Sequence, residues 1–295
     1  MEFRYFSADE ARAELALRRA DNRLHASVME FLGNLPHGFP EGPFVAATTS
    51  FIATPNLWNL GIAKEAAHLG LPVVFYEYTS DKFTPYNGDK VSLLNVRTAL
   101  AVDRNALQKI LNAKHVRGEV IVKPYEFESA NILVGNRENS RVIVFAHYDS
   151  IETGAMDNAS GVAVTMQALL PHPETLTETL YIFSGNEELS FDYPTYWGRG
   201  FREFEKKYMD IIQGCEKICV VDALGNGKTI VSQDKNITHL AFPIKNIKKR
   251  SDKIFLLYGD LEKLMRIYHS KGDTVEFLEE KYLKEAVAMI VKFLL

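Results

Sequence analysis

The chain has 295 residues, 46% hydrophobic and 24% charged, with a formal net charge of -4. That length holds one large α/β domain or two smaller ones, and the acidic balance argues against nucleic acid as a partner; the short basic run KNIKKRSDK at 245–253 reads as a solvated loop. Two cysteines, Cys215 and Cys219, make no disulfide framework, and a charged N-terminus without a signal core or an apolar span leads to the expectation of a cytoplasmic protein with no membrane partner.

Residues 1–40 are expected to form an N-terminal helix over 7–33, with Ser7 as its N-cap and Glu10 three residues on; the glycines and prolines of 33–43 end it. From 41 to 125 strands alternate with helices: FVAATTSFI, LGIAKEAAHLG, PVVFYEY and ALAVDRNALQKILNAK describe a smaller α/β domain. From 126 to 295 the apolar runs are stronger. ANILVG, RVIVFAH, TLYIFSG, KICVVDA and KIFLLYG are predicted strands, and GVAVTMQALL, FREFEKKYMDIIQG and LEEKYLKEAVAMIVKFLL predicted helices. The fold class expected is α/β, a mostly parallel mixed sheet flanked by helices on both faces.

In such a sheet ligands collect at the carboxyl ends of the strands. His147 and Asp149 follow one apolar run, Glu187 and Glu188 another, Asp222 a third, and Asp157 lies in the turn after the first. Burying these carboxylates together costs several kcal/mol per charge unless a cation compensates, and none of these residues is lysine or arginine. A divalent metal answers that cost, and His with Asp and Glu suits zinc. So many candidates point to two ions about 3.5–4 Å apart that share a carboxylate. His147 and Asp149, two apart on an extended segment, face the same side, so Asp149 can orient the imidazole from behind. Glu187 and Glu188 point in different directions, which lets one bind metal while the other acts as general base.

Five motifs in order, HYDS at 147–150, DNASG at 157–161, NEE at 186–188, VDALG at 221–225 and YHSKGDT at 268–274, make the chain resemble the co-catalytic zinc aminopeptidases, relatives of glutamate carboxypeptidase and the glutaminyl cyclases. The resemblance covers 126–295 and implies a zinc exopeptidase-like fold. It implies that His147, Asp157 and Asp222 hold one Zn2+ and that Asp157, Glu188 and His269 hold the other, with cobalt or manganese as substitutes in vitro. Glu187 would take a proton from a water between the metals, Asp149 would stand behind His147, and Tyr268 would help stabilise the oxyanion. The resemblance further implies a cis peptide bond after Asp157. The expected activity is removal of N-terminal residues from a peptide substrate. Residues 41–125 resemble a protease-associated domain.

Other readings on this scaffold are a single-zinc glutaminyl cyclase, a carboxypeptidase-type exopeptidase, or a binding protein without catalysis; the last predicts broken ligands, and none is broken. LSFDYPTYWGRG, after the two glutamates, departs from the family pattern, and Tyr193, Tyr196 and Trp197 are candidates for an apolar pocket wall. DALGNGKT at 222–229 ends like a phosphate-binding loop but has Asp222 where the first glycine belongs.

Overall fold

In the computed structural model of the chain, the residues described are 4–6, 45–47, 52–55, 73–76, 99–113, 115, 117, 126–188 and 197–294. The expected N-terminal helix 7–33 and the pocket candidates Tyr193 and Tyr196 lie outside them. The chain forms two compact units, Met1–Tyr125 and Glu126–Leu295. No helix among the described residues is long and apolar enough to cross a membrane.

The first unit holds a sheet of strands β1 (Arg4–Phe6), β2 (Val45–Ala47), β3 (Ile52–Pro55), β4 (Val73–Tyr76) and β5 (Ala99–Val102), in that spatial order. β1, β2 and β3 pair antiparallel, whereas β3, β4 and β5 pair parallel. The apolar run 44–52, expected as one strand, contributes to two antiparallel ones, with Ala46 opposite Ala53. An apolar run by itself does not distinguish the two cases. Helix α1 (Arg104–Asn112) is capped by the Asp103 side chain, which accepts from Ala106 N at 2.6 Å.

The second unit is built on strands β6 (Ile132–Gly135), β7 (Val142–His147), β8 (Thr179–Ser184), β9 (Lys217–Val221), β10 (Ile230–Ser232) and β11 (Ile254–Tyr258), ordered β10-β11-β9-β7-β8-β6. The central pairs β11–β9, β9–β7 and β7–β8 are parallel, and β6 and β10 join antiparallel at the flanks. This is the mixed, mostly parallel sheet expected.

Alternation along the strands explains why helices cover both faces. Val142, Val144 and Ala146 of β7 point to one side with Tyr181, Cys219 and Leu257. There they meet Val164 and Ala168 of α2 (Ser160–Leu169). Ala286, Ile290 and Leu294 of the last helix join the same cluster. Ile143 and Phe145 point to the other side, against Phe201 and Phe204 of α3 (Arg199–Lys207) and Ile211 and Ile212 of α4 (Met209–Gly214). Strands buried on both faces read as unbroken apolar runs, which is how β7, β8 and β9 announce themselves in the sequence. FREFEKKYMDIIQG, expected as one helix, breaks at Tyr208 into α3 and α4. The sequence pattern did not single out β10, α5 (Lys235–Ala241) or α6 (Leu261–Met265), all of them short. The last helix, α7 (Glu280–Leu294), falls where expected.

Phe145 is fully buried and lies edge-on to Phe201 and Phe204, with ring centroids at 5.5 and 5.3 Å. Phe145→Ala removes the ring around which this aromatic cluster packs. The expected cost is about 3–5 kcal/mol, read as a lower midpoint in urea unfolding.

Candidate metal centre

Three adjacent parallel strands, β8, β7 and β9, end side by side, and each delivers an acid or an imidazole to the same rim. β7 ends on His147, β8 leads through Gly185 and Asn186 to Glu187 and Glu188, and β9 leads directly to Asp222. Asp157 comes from the turn Ala155–Ala159 before α2, and its peptide bond to Asn158 is cis, as the resemblance implies. His269 follows α6. His147, Asp157, Glu187, Glu188 and His269 are all buried.

Asp157 lies between the two imidazoles. One of its carboxylate oxygens is 3.1 Å from His147 Nε2 and the other 3.7 Å from His269 Nε2. Asp222 Oδ1 stands 3.6 Å from His147 Nε2, and Glu188 Oε2 stands 2.8 Å from His269 Nε2. Two groups of three therefore share Asp157: His147 with Asp222, and His269 with Glu188. Ligand atoms of His147, Asp157 and Glu188 also lie within 4.8 Å of one another.

The donor set suits a metal on two grounds. His147 Nδ1 lies 3.0 Å from the Asp149 carbonyl oxygen, which can only accept, so Nδ1 keeps a proton in either charge state and loss of the other proton from Nε2 frees a lone pair facing the rim. His147 Nε2 and Asp222 Oδ1 are buried and make no hydrogen bond. A buried polar atom without a partner is costly, and a cation held by these two residues would remove that cost.

The charge state reflects the same crowding. Burial pushes Glu187 well above the ordinary carboxylate range; His147 pulls it down, and Glu188, Asp222 and Asp149 push it up further. Glu188 is raised well above its usual value by burial and then by Asp157. Burial pulls His147 down, but Asp149, Asp157 and Asp222 outweigh it and hold the imidazole well above its usual value.

Main-chain hydrogen bonds hold the strand ends relative to one another. The Asp149 carboxylate accepts from Glu187 N at 3.1 Å and from Glu188 N at 3.0 Å, so it fixes the backbone that carries both glutamates. It also faces His147 Nδ1 at 3.7 Å, farther than the carbonyl of the same residue. Asp149 is expected behind His147, and besides standing there it holds the backbone of the two glutamates. Asn158 donates to Val221 O at 2.9 Å and accepts from Ala223 N at 3.2 Å, so one amide brackets Asp222 on both sides. Ser160 donates to Met156 O and accepts from Leu224 N. A Cβ at Gly161 would overlap the Asn158 side chain, which accounts for the glycine that closes DNASG.

Asn186, Ala223 and His269, each at or beside a predicted site residue, have φ of 59°, 49° and 55°. These left-handed residues aim neighbouring side chains in directions a regular strand or helix would not provide. Tyr268 stacks on His269 with ring centroids 3.6 Å apart and packs beside Met156 and Ala223. Trp197 Nε1 donates to Leu240 O at 2.7 Å, which ties that indole to α5. The loop 222–229 is fastened as well: Asn226 bonds both the N–H and the carbonyl of Asp260, an arrangement unlike an open phosphate cradle.

The raised groups set a pH dependence for the metal-free protein. Glu187 and Glu188 ionise in the unfolded chain near about 4.3 but later in the folded one, so stability is lost as pH climbs above that value. His147 acts in the same direction: its contribution is fully present below about 6.5 and is lost as pH rises through its raised folded value. Asp149, lowered once His147 and the two amides outweigh its burial, acts only at lower pH. Thermal unfolding in chelator is expected to give a midpoint that falls from about pH 5 to pH 8, and added zinc is expected to raise it more at the upper end. A metal-free midpoint that rises over that window would contradict the charge assignment.

Residues 130–192 match the sequence model of Peptidase family M28. No curated protein sequence matches the chain. Among solved structures, an aminopeptidase from Aneurinibacillus sp. strain AM-1 is similar at 18% identity and a TM-score of 0.48, covering 81% of this chain and 66% of its own. A Zn-dependent exopeptidase from Parabacteroides distasonis is similar at 20% identity and a TM-score of 0.43, over 56% of this chain and 76% of its own. Porphyromonas gingivalis glutaminyl cyclase is similar at 15% identity and a TM-score of 0.43, over 56% and 75%. The chain spans just under two thirds of the length of the Aneurinibacillus enzyme. The matched segment contains His147, Asp149, Asp157, Glu187 and Glu188, and over it the family resemblance carried by the motifs is that of Peptidase family M28.

Proposed function

We propose that the chain is a zinc-dependent aminopeptidase that hydrolyses the N-terminal residue from peptides. The observation that carries this reading is Asp157 set between His147 and His269, with Asp222 and Glu188 completing the two sides and Glu187 beside them. In this reading His147, Asp157 and Asp222 hold one zinc and Asp157, Glu188 and His269 the other. When bound, the metals supply Lewis acidity toward the scissile carbonyl and make the attacking water more acidic.

The protein's own part falls chiefly to Glu187. Its side chain is buried, its carboxyl is raised, and its backbone is fixed by the Asp149 carboxylate and by Gly198 N, which donates to its carbonyl at 2.5 Å. A carboxylate with a raised proton affinity takes a proton from water and hands it to the departing amine more readily than an exposed one. The acidic rim favours a substrate with a free, cationic α-amine, which supports cleavage from the N-terminus. Tyr268, stacked on His269, is placed in this reading to stabilise the negative oxygen of the tetrahedral intermediate.

Glu187→Gln is expected to lower kcat by about 10²–10⁴-fold while zinc per chain stays at the parent value. Amino-acyl p-nitroanilides are the substrates, with N-blocked peptides as the control expected to resist cleavage. Full activity after chelation would overturn the reading. One zinc per chain together with ring closure of N-terminal glutamine would support a glutaminyl cyclase instead.

A further inference from the structure

His269, in its left-handed conformation, opens a short loop that is bonded along its length to the turn bearing Asp157. Thr153 Oγ1 donates to Ser270 O at 3.2 Å and Ala155 N donates to Asp273 O at 3.1 Å. The Asp273 side chain then accepts from Met156 N at 2.7 Å on one oxygen and from Asp157 N at 3.1 Å on the other. Asp273 is 1% exposed, so its carboxylate faces these amides out of solvent. Four hydrogen bonds thus join residues 153–157 to residues 270–273.

We propose that Asp273 is a positioning residue: its carboxylate fixes the backbone of Asp157 relative to His269 and thereby sets the zinc affinity of the whole centre. The inference rests on reading the centre as a zinc site, and it goes beyond that reading by assigning a task to a residue outside the predicted ligand set. Asp157 faces both imidazoles, so a displacement of its main chain disturbs both groups of ligands at once. A carboxylate suits this place because both of its oxygens accept, and two N–H donors converge on them. An amide of the same shape would turn one acceptor into a donor aimed at an N–H. Asp273→Asn is therefore a disruptive change despite its size. Asp273→Glu returns both acceptors on a longer arm.

The test compares parent, Asp273→Asn and Asp273→Glu chains stripped of metal. Zinc affinity is read by competition with a chromophoric chelator, cobalt(II) binding by its visible absorption, and folding by thermal unfolding without metal. The expected result is zinc binding weakened by about 10–100-fold in Asp273→Asn, with an altered cobalt spectrum and partial recovery in Asp273→Glu. Zinc affinity in Asp273→Asn within about twofold of the parent would overturn the proposal, whatever the change in unfolding temperature. Should Asp273→Asn not fold, hydrogen exchange on the parent decides. Met156 and Asp157 amides protected without metal support the clamp, and amides that exchange freely until zinc is added overturn it. A parent chain that takes up no zinc would overturn the zinc reading and this inference together, whereas a failure confined to the variants leaves the zinc reading standing.

Discussion

Carboxylates that must face one another can do so only if their backbones cannot retreat. Here side chains bonded to main-chain N–H groups impose that constraint. Asp149, on the segment after β7, holds the two amides of Glu187 and Glu188 after β8. Asn158, beside Asp157, brackets Asp222 after β9. Asp273, on the loop of His269, holds the amides of Met156 and Asp157. Segments that supply predicted ligands thus also supply clamps for their neighbours, so the loops behave as one unit. Such bonds are worth more when buried and charge-assisted, because no water competes for the donors.

The electrostatic consequence is a centre poised for a cation. Burial raises Glu187 and Glu188 and lowers His147, while the acids crowded at the rim raise all three. Without a metal that crowding favours the protonated forms of these groups. With one, the same groups can be ionised together. Structural and chemical demands therefore coincide in the residues 147–188, the stretch that also carries most of the family match.

Beneath the rim, the sheet explains why the geometry is stiff. Side chains of β7 alternate between two apolar clusters, each backed by helices, so a shift of the strand by one residue would exchange its faces. His147 continues a strand whose preceding residues are all buried. Its position is set by that core as much as by any bond of its own.

Much of this was legible in the residues. Apolar runs buried on both faces mark β7, β8 and β9 as parallel core strands, and acids and histidines after such runs mark a rim, because open α/β sheets place ligands there. The two-residue step from His147 to Asp149 likewise told that both belong to one strand end. What the residues did not disclose was which atoms meet. Asp149 reads as a partner for the nearest imidazole, yet its carboxylate bonds amides 38 and 39 positions away. Asp273 reads as one more polar loop residue, and Asn158 as part of a turn. Their tasks depend on contacts between segments remote in sequence and on left-handed residues at 186, 223 and 269, which no local periodicity announces. Residue types and their order are enough to specify the chemistry of the groups and the strands that carry them. Their distances, the direction of their pKa shifts and the clamps between them come from the fold, because these arise only when separate strand ends are buried together.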